Sequence, residues 1–348
     1  MIPLYGAIII NFVDMDNIQY PAPKQVYKVL VRCFTYNQSK YIEDALNGFA
    51  MQQTNFPFVC LVMDDASTDG EQEVIKKWME RGCDMSRAEM IDIPTSIVII
   101  VPHKTNTSCT FAFYFLKQNL YGTGNKKMNH VYPWHEKCEY QAICEGDDYW
   151  IDCLKLQKQV DVLDSNPNLS SCWTGYISKQ KGLPDKDMTI YIPNDGKMVS
   201  IYTLKDWQAC WFTKTLTSLI RLKAYEEYRE KFKHFSYARD IHLFYYLLKW
   251  GSAAYIHYPS AVYNIHEGGI CSMVSKPANA VHSYNCYKEL YLLERNEVLR
   301  CKYLSAINSR LKYRTDNQNS FSLLKEGLML SKTLLEKMRI LCKFLFYR

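Results

Sequence analysis

Residues 29–70 read VLVRCFTYNQSKYIEDALNGFAMQQTNFPFVCLVMDDASTDG, and the same order of elements occurs in them twice. VLVRCF is an apolar run of strand length, TYNQS is a polar turn, and YIEDALNGFAMQ puts Ile42, Ala45, Leu46 and Phe49 on one face of a helix. FVCLVM is a second apolar run that ends directly in DDASTDG. Thr68 and Glu71 then stand at capping-box spacing, which predicts a helix through Trp78. Strand, loop and helix in repeated succession imply a mostly parallel sheet, because parallel neighbours need a crossover and the crossover helices cover the faces.

Working outward, SIVIIV at 96–101 reads as a third buried strand, and EYQAIC at 139–144 as a fourth that runs into EGDDYW. Leu156, Val160 and Leu163 form the apolar stripe of a helix that Asn166-Pro167 ends. Residues 174–205 carry Gly182, Pro184, Pro193 and Gly196 and are expected as loops or a small hairpin. IHLFYYLLKWG at 241–251 predicts a buried helix stopped by Gly251, and AAYIHY a short strand after it. The fold class is therefore α/β, a mostly parallel sheet with helices on both faces. Residues 1–27 form a leader or edge segment, 28–272 the sheet domain, and 273–348 a C-terminal helical region. Ile2–Val13 is apolar but far short of the roughly 20 residues that span a bilayer.

A chain of 348 residues exceeds what one core economically covers, so a large domain with an appendage is expected. The net charge of +6 suits an anionic substrate or membrane surface but is too small for a nucleic-acid footprint, which excludes nucleic acid as partner. None of the 13 cysteines lies in a Cys-x-x-Cys pair, so they read as reduced thiols of a cytoplasmic protein.

Ligands of open parallel sheets sit beyond the carboxyl ends of the strands. Three polar segments fall there: Thr35-Tyr36-Asn37, Asp64-Asp65, and Glu145-Gly146-Asp147-Asp148. An aspartate at a strand end can accept from the imide of a base or from a ribose hydroxyl. The sequence DDASTDG is equally good chemistry for a plain acidic turn. EGDD sets three carboxylates in four residues, and their repulsion is relieved by a divalent cation, Mn2+ or Mg2+, that takes oxygen ligands and leaves positions to phosphate and water. Apolar AIC before the cluster and YWI after it argue against a merely exposed acidic loop.

The ordered set VLVRCFTYNQSKYIEDAL, VCLVMDDASTDG and CEGDDYWIDCLKLQKQ resembles the nucleotide-sugar domain of glycosyltransferase family 2, the inverting enzymes of the GT-A fold, over about residues 28–272. The resemblance extends to bacterial surface-polysaccharide glycosyltransferases. It implies a nucleoside-contacting loop at Thr35, Tyr36 and Asn37, a base-holding role for Asp65, and a DXD metal motif whose ends are Glu145 and Asp147, with Asp147 at the metal. Glu145 replaces the usual aspartate. Asp148 is then placed to contact ribose or acceptor. YARDIHLF resembles the segment that bears the catalytic carboxylate and implies Asp240 as base, with Arg239 where the family has glutamate. Arg239 would hold Asp240 ionised. Without the resemblance, Asp240 reads as a helix cap. AVYNIHEGGICS resembles the closing motif, which implies that His266 reaches the diphosphate or the metal and that Gly268-Gly269 lets a lid move; Asn264 stands where arginine is common.

The expected reaction is a single in-line displacement with inversion, from a nucleotide-diphosphate sugar, a UDP-sugar first, to a hydroxyl of a saccharide or lipid-linked acceptor in polysaccharide synthesis. Trp173, Trp207, Trp211 and Phe212 are expected either to stack on sugars or to fill the core. Thr217 and Ser218 are expected to line the acceptor cleft. Leu330, Leu334, Met338, Leu341 and Leu345 follow helical spacing, with Lys332, Lys337, Arg339 and Lys343 on a basic face. That helix either lies on the cytoplasmic face of an inner membrane or packs on protein. Two other functions share these features: a sugar nucleotidyltransferase, for which TYNQS lacks a glycine-rich basic loop, and a non-catalytic nucleotide-sugar-binding scaffold.

Overall fold

The computed structural model describes residues 18–123, 126–189, 198–209, 213–237, 239–269, 274–313 and 317–346. The apolar segment Ile2–Val13, Trp211 and Phe212 lie outside the described residues. The strands are β1 (Tyr27–Thr35), β2 (Phe58–Asp64), β3 (Glu89–Ile93), β4 (Ser96–Pro102), β5 (Cys109–Leu116), β6 (Cys138–Ile143), β7 (Tyr149–Trp150), β8 (Leu169–Gln180), β9 (Lys186–Asp187), β10 (Val199–Tyr202), β11 (Leu219–Arg221) and β12 (Ser252–Ile265). The helices are α1 (Ile42–Ala50), α2 (Glu71–Gly82), α3 (Lys126–Asn129), α4 (Tyr132–His135), α5 (Lys155–Ser165), α6 (Leu204–Ala209), α7 (Leu222–Lys231), α8 (Asp240–Trp250), α9 (Lys276–Glu294), α10 (Glu297–Lys312), α11 (Asn317–Leu330) and α12 (Leu334–Phe346).

One sheet runs in the order β10-β12-β8-β11-β6-β1-β2-β5-β4-β3. β1 pairs parallel with β2 and β6, β2 with β5, and β8 with β12, while β11 lies antiparallel between β6 and β8. The expected parallel α/β sheet is present at this centre. Its antiparallel members are additions that periodicity did not disclose. SIVIIV is β4, paired antiparallel with both β3 and β5, and the parallel neighbour of β2 on the side away from β1 is CTFAFYFL, a strand absent from the sequence reading. Residues 174–205, expected as loops, begin inside the twelve-residue β8; the short β9 folds back on it as the small hairpin.

Alternation of side chains divides the core. Val29, Val31 and Cys33 of β1 and Phe58, Cys60 and Val62 of β2 pack on one face with α1, α2 and α5. Leu30, Val59, Leu61 and Met63 pack on the other, in a cluster that also takes Tyr245, Leu290, Leu299, Ile307 and Ile340. The C-terminal helices therefore share a hydrophobic core with one face of the sheet. Each large side chain buried there contributes about 1.5–3 kcal/mol.

β12 is irregular. Five steps from Ile256 to Ala261 are matched by only two from Thr174 to Tyr176 on β8, with Pro259 inside the bulge. Beyond it, Ala261 and Val262 pair with Trp150 and Tyr149 of β7. This pairing carries the end of β12 back to the turn that follows β6.

Candidate active site

The loops after β1 and β2 are fastened by one carboxylate. Glu71 is fully buried and accepts the Thr35 hydroxyl, the Gln38 N–H at 2.8 Å and the Ser67 hydroxyl at 2.9 Å. Burial raises its pKa, and the Thr35, Gln38 and Ser67 donors pull it back. The capping box expected from Thr68 and Glu71 is not formed: the residue before α2 is Gly70, in the left-handed region at φ 89°, with no side-chain cap. Glu71 turns inward instead and serves the site. Asn37, also left-handed at φ 54°, receives the Thr68 N–H on its side-chain oxygen at 2.8 Å and gives its own N–H to Ser67. Thr35 and Asn37 thus hold the loops in shape, and Tyr36 between them is 44% exposed.

At the end of β2 both aspartates turn into the protein. Asp65 accepts the Leu120 N–H at 2.7 Å and pairs with Lys127 at 3.1 Å, so each of its oxygens has an internal partner. Asp64 accepts from Gln72 at 2.6 Å and from the Ser67 N–H at 3.1 Å.

The turn after β6 rests on the β1 loop at Gly146. A Cβ built there would stand 2.3 Å from Thr35 Oγ1 and 2.6 Å from Thr35 Cβ, so only glycine fits. Asp148 is buried and accepts the Asn264 N–H at 2.9 Å; the Asn264 amide donates to the Asp147 carbonyl at 2.7 Å. Burial, then the charge of Asp147, drives the Asp148 pKa well up. Glu145 faces Arg32 at 3.6 Å. Burial raises its pKa, Arg32 opposes this, and Asp147 adds to it. His266, one residue past β12, places Nε2 3.0 Å from Asp147 Oδ2, and its ring lies 4.5 Å from that of Tyr41. Residues 119 apart in the chain therefore meet because β7 pairs with β12.

Asp240 is the first residue of α8 and accepts the Ile241 N–H at 2.9 Å. The capping position belongs to Arg239, whose N–H goes to His242 Nδ1 at 3.2 Å, so the cap reading of Asp240 is not what the structure has. Asp240 is exposed; desolvation is the largest influence on its carboxyl and raises the pKa, while the Ile241 N–H, Lys214 and Arg239 pull the other way. Arg239 acts in the expected sense, favouring the ionised carboxylate, but desolvation outweighs it. Lys214, whose ammonium lies 4.4 Å from the centre of the Tyr263 ring, also lowers the pKa of Asp148.

Trp173 and Trp207 are fully buried, which makes them core rather than a stacking platform. Thr217 and Ser218 are buried too, their hydroxyls bound to the carbonyls of Lys214 and Thr215 in a short 3-10 turn. Sequence reasoning missed Glu71, Arg32, Lys127 and Lys214. Only Lys127, in the basic run KKMNH, carried a visible signal.

Among the described residues no group of three or more histidine, cysteine, aspartate or glutamate side chains is set to hold a metal ion, so a divalent cation would have two protein donors here. Asp147 and His266 converge at 3.0 Å as one carboxylate and one imidazole, while the Asp148 side chain is committed to Asn264 and Glu145 to Arg32. Two protein donors with the remaining positions left to water and phosphate oxygens are a usual arrangement for such ions.

Residues 33–94 match the model of glycosyl transferase family 2, a span that includes the Glu71 network. Two curated proteins described as uncharacterized, from Mycobacterium tuberculosis and Mycobacterium bovis, are each 34% identical over 139 residues, 40% of this chain. The chain spans about a third of the length of these relatives, 32%. Among solved structures, S. aureus TarS 1-349 in complex with UDP-GlcNAc aligns at TM-score 0.51 and 16% identity, over 91% of this chain and 79% of that one. The last likeness bears on the fold, and the family match on the loops that the fold holds in place. Residues 33–94 are thus similar to glycosyl transferase family 2, and they lie on a sheet whose fold is like that of TarS 1-349.

Proposed function

We propose that the chain transfers a sugar from a nucleotide-diphosphate donor to a hydroxyl of a saccharide or lipid-linked acceptor, with inversion. The observation that carries this reading is the Asp147–His266 pair, seated on the glycine turn that abuts the Thr35 loop of the family-matched segment. In this reading Asp147 and His266 hold the divalent cation, Mn2+ or Mg2+. When bound, that ion supplies positive charge where the diphosphate leaves.

The chain's own residues do the rest. Tyr36, exposed between two locked neighbours, packs against the nucleoside, and Asp65, paired with Lys127, serves the base-binding end of the site. Asp148 and Asn264 keep the Asp147 backbone in place. Asp240 takes the proton of the attacking hydroxyl. Its raised pKa supports that role, because a more basic carboxylate is the better acceptor. Arg32 offsets part of the charge of Glu145 in the acidic turn. The likeness to a protein solved with UDP-GlcNAc makes UDP-sugars the first donors to test. A cytoplasmic position at the membrane face, in surface-polysaccharide synthesis, completes the reading.

The test is hydrolysis of UDP-sugars with and without Mn2+. Asp147→Asn is expected to lower the metal-dependent rate about a hundredfold or more, the upper end of the loss seen when a metal site is disturbed. An Asp147→Asn variant that hydrolyses donor at the wild-type rate would remove the proposal.

A further inference from the structure

α12 presents an apolar face that no other described residue covers. Leu334, Leu335, Met338, Leu341, Leu345 and Phe346 are all exposed, Leu334 at 74% and Phe346 at 78%, whereas Ile340 is fully buried. At about 100° per residue the six exposed side chains fill one sector of roughly 140°. Ile340 and Phe344, which pack on the core, lie on a different face. The charges fall at the borders of the exposed sector: Lys337 at one edge, Arg339 and then Lys343 at the other. The helix has three cations and one carboxylate, Glu336, and that carboxylate is turned away to Arg300 at 2.8 Å.

We infer that this face docks on an anionic lipid surface, α12 lying in the plane of the interface. An apolar stripe with cations on both borders matches acyl chains beneath anionic headgroups. A second copy of the chain is a poor occupant. Two such faces packed about a twofold axis would bring the Lys337 and Arg339 borders against like charges, and the nearest carboxylate is already paired. Among the described residues no helix is long and apolar enough to cross a membrane, so α12 would rest on the surface. The inference deepens the membrane-face reading given above, and its test uses no nucleotide sugar, so it fails independently of the transfer chemistry.

The experiment is cosedimentation of the full chain with vesicles of phosphatidylcholine alone or with roughly a third phosphatidylglycerol. The protein is expected to pellet with the anionic vesicles and to be released by salt. Leu341→Glu/Leu345→Glu and Lys337→Glu/Arg339→Glu should each weaken binding about tenfold or more, since each acts on a different half of the attraction. Both leave Ile340 in place, and an unchanged unfolding midpoint will show that the fold is intact. Failure to pellet, equal binding to neutral vesicles, or a dimer by sedimentation velocity that the Leu341→Glu/Leu345→Glu variant makes monomeric would each overturn the inference.

Discussion

Replacement of Gly146 by alanine tests the architecture of the site at its tightest point. The new Cβ would meet Thr35 Oγ1 at 2.3 Å and Thr35 Cβ at 2.6 Å, and Gln38 Oε1 at 2.7 Å. Gln38 can swing away. Thr35 cannot, because it is buried and its hydroxyl is bound to Glu71. Forcing a methyl into a packed site costs about 1–3 kcal/mol, and losing a hydrogen bond to a buried carboxylate about 1.5–3. Relief of one by the other leaves an expected loss of about 2–5 kcal/mol. Urea unfolding measures this. Titration with UDP and Mn2+ should show weaker binding in parallel, since the same displacement moves Asp147. Adding Thr35→Ala should recover only part of the loss, because the Thr35 Cβ is itself too close and the alanine side chain retains that atom. A Gly146→Ala protein within about 0.5 kcal/mol of wild type, the range of an indifferent surface change, would refute the reasoning.

Asp240→Asn is expected to lower transfer about a hundredfold or more while leaving donor binding unchanged, as loss of a general base does; full turnover would remove the base assignment. Glu289 of α9 accepts the N–H groups of Ser236 at 2.9 Å and Tyr237 at 3.2 Å, just ahead of Asp240. Glu289→Gln should therefore reduce kcat roughly tenfold with KM for the donor little changed, and a change confined to KM would count against this positioning role. His130, His135 and His242 are buried and each is held down to about 4 from 6.5. The folded state thus binds fewer protons than the unfolded one, so stability present above pH 6.5 is lost as pH falls toward 4, at about 1.4 kcal/mol per unit for each histidine. Unfolding free energies at pH 7 and pH 5 read this directly, and a flat profile would contradict the burial of these rings.

The parallel centre of the fold was legible because β1 and β2 each end in a polar turn followed by a helix of clear period. β5 was not, since CTFAFYFL is apolar from Phe111 to Leu116 and such a run has no period to detect. Glu71 misled for a different reason. Its spacing from Thr68 imitates a capping box, and only the left-handed Gly70 shows that the helix starts otherwise. The acidic turn could be read from charge crowding alone, and the structure brings His266 to it. What holds the turn was hidden in the sequence: Asn264 reaches it from 116 and 117 positions away, and Arg32 compensates Glu145 from another strand. Trp207 shows the limit of composition, for an aromatic residue reads alike as platform or as core until its burial is known.

The surplus residues in β12 set the phase of everything after them. Before the bulge, Ala254 and Ile256 face the core beneath α1 and α5; after it, Ala261 and Tyr263 do, so even and odd positions have exchanged faces. Asn264 and His266, two apart, share the opposite parity and reach the acidic turn together. Deleting any one residue from 257–260 would leave the strand pairing possible and yet turn both side chains to the wrong side. An insertion of two would keep their facing while carrying them past Asp147. The length of this bulge is therefore a frame in which the site is written, and it tolerates substitution far better than it tolerates a change in count.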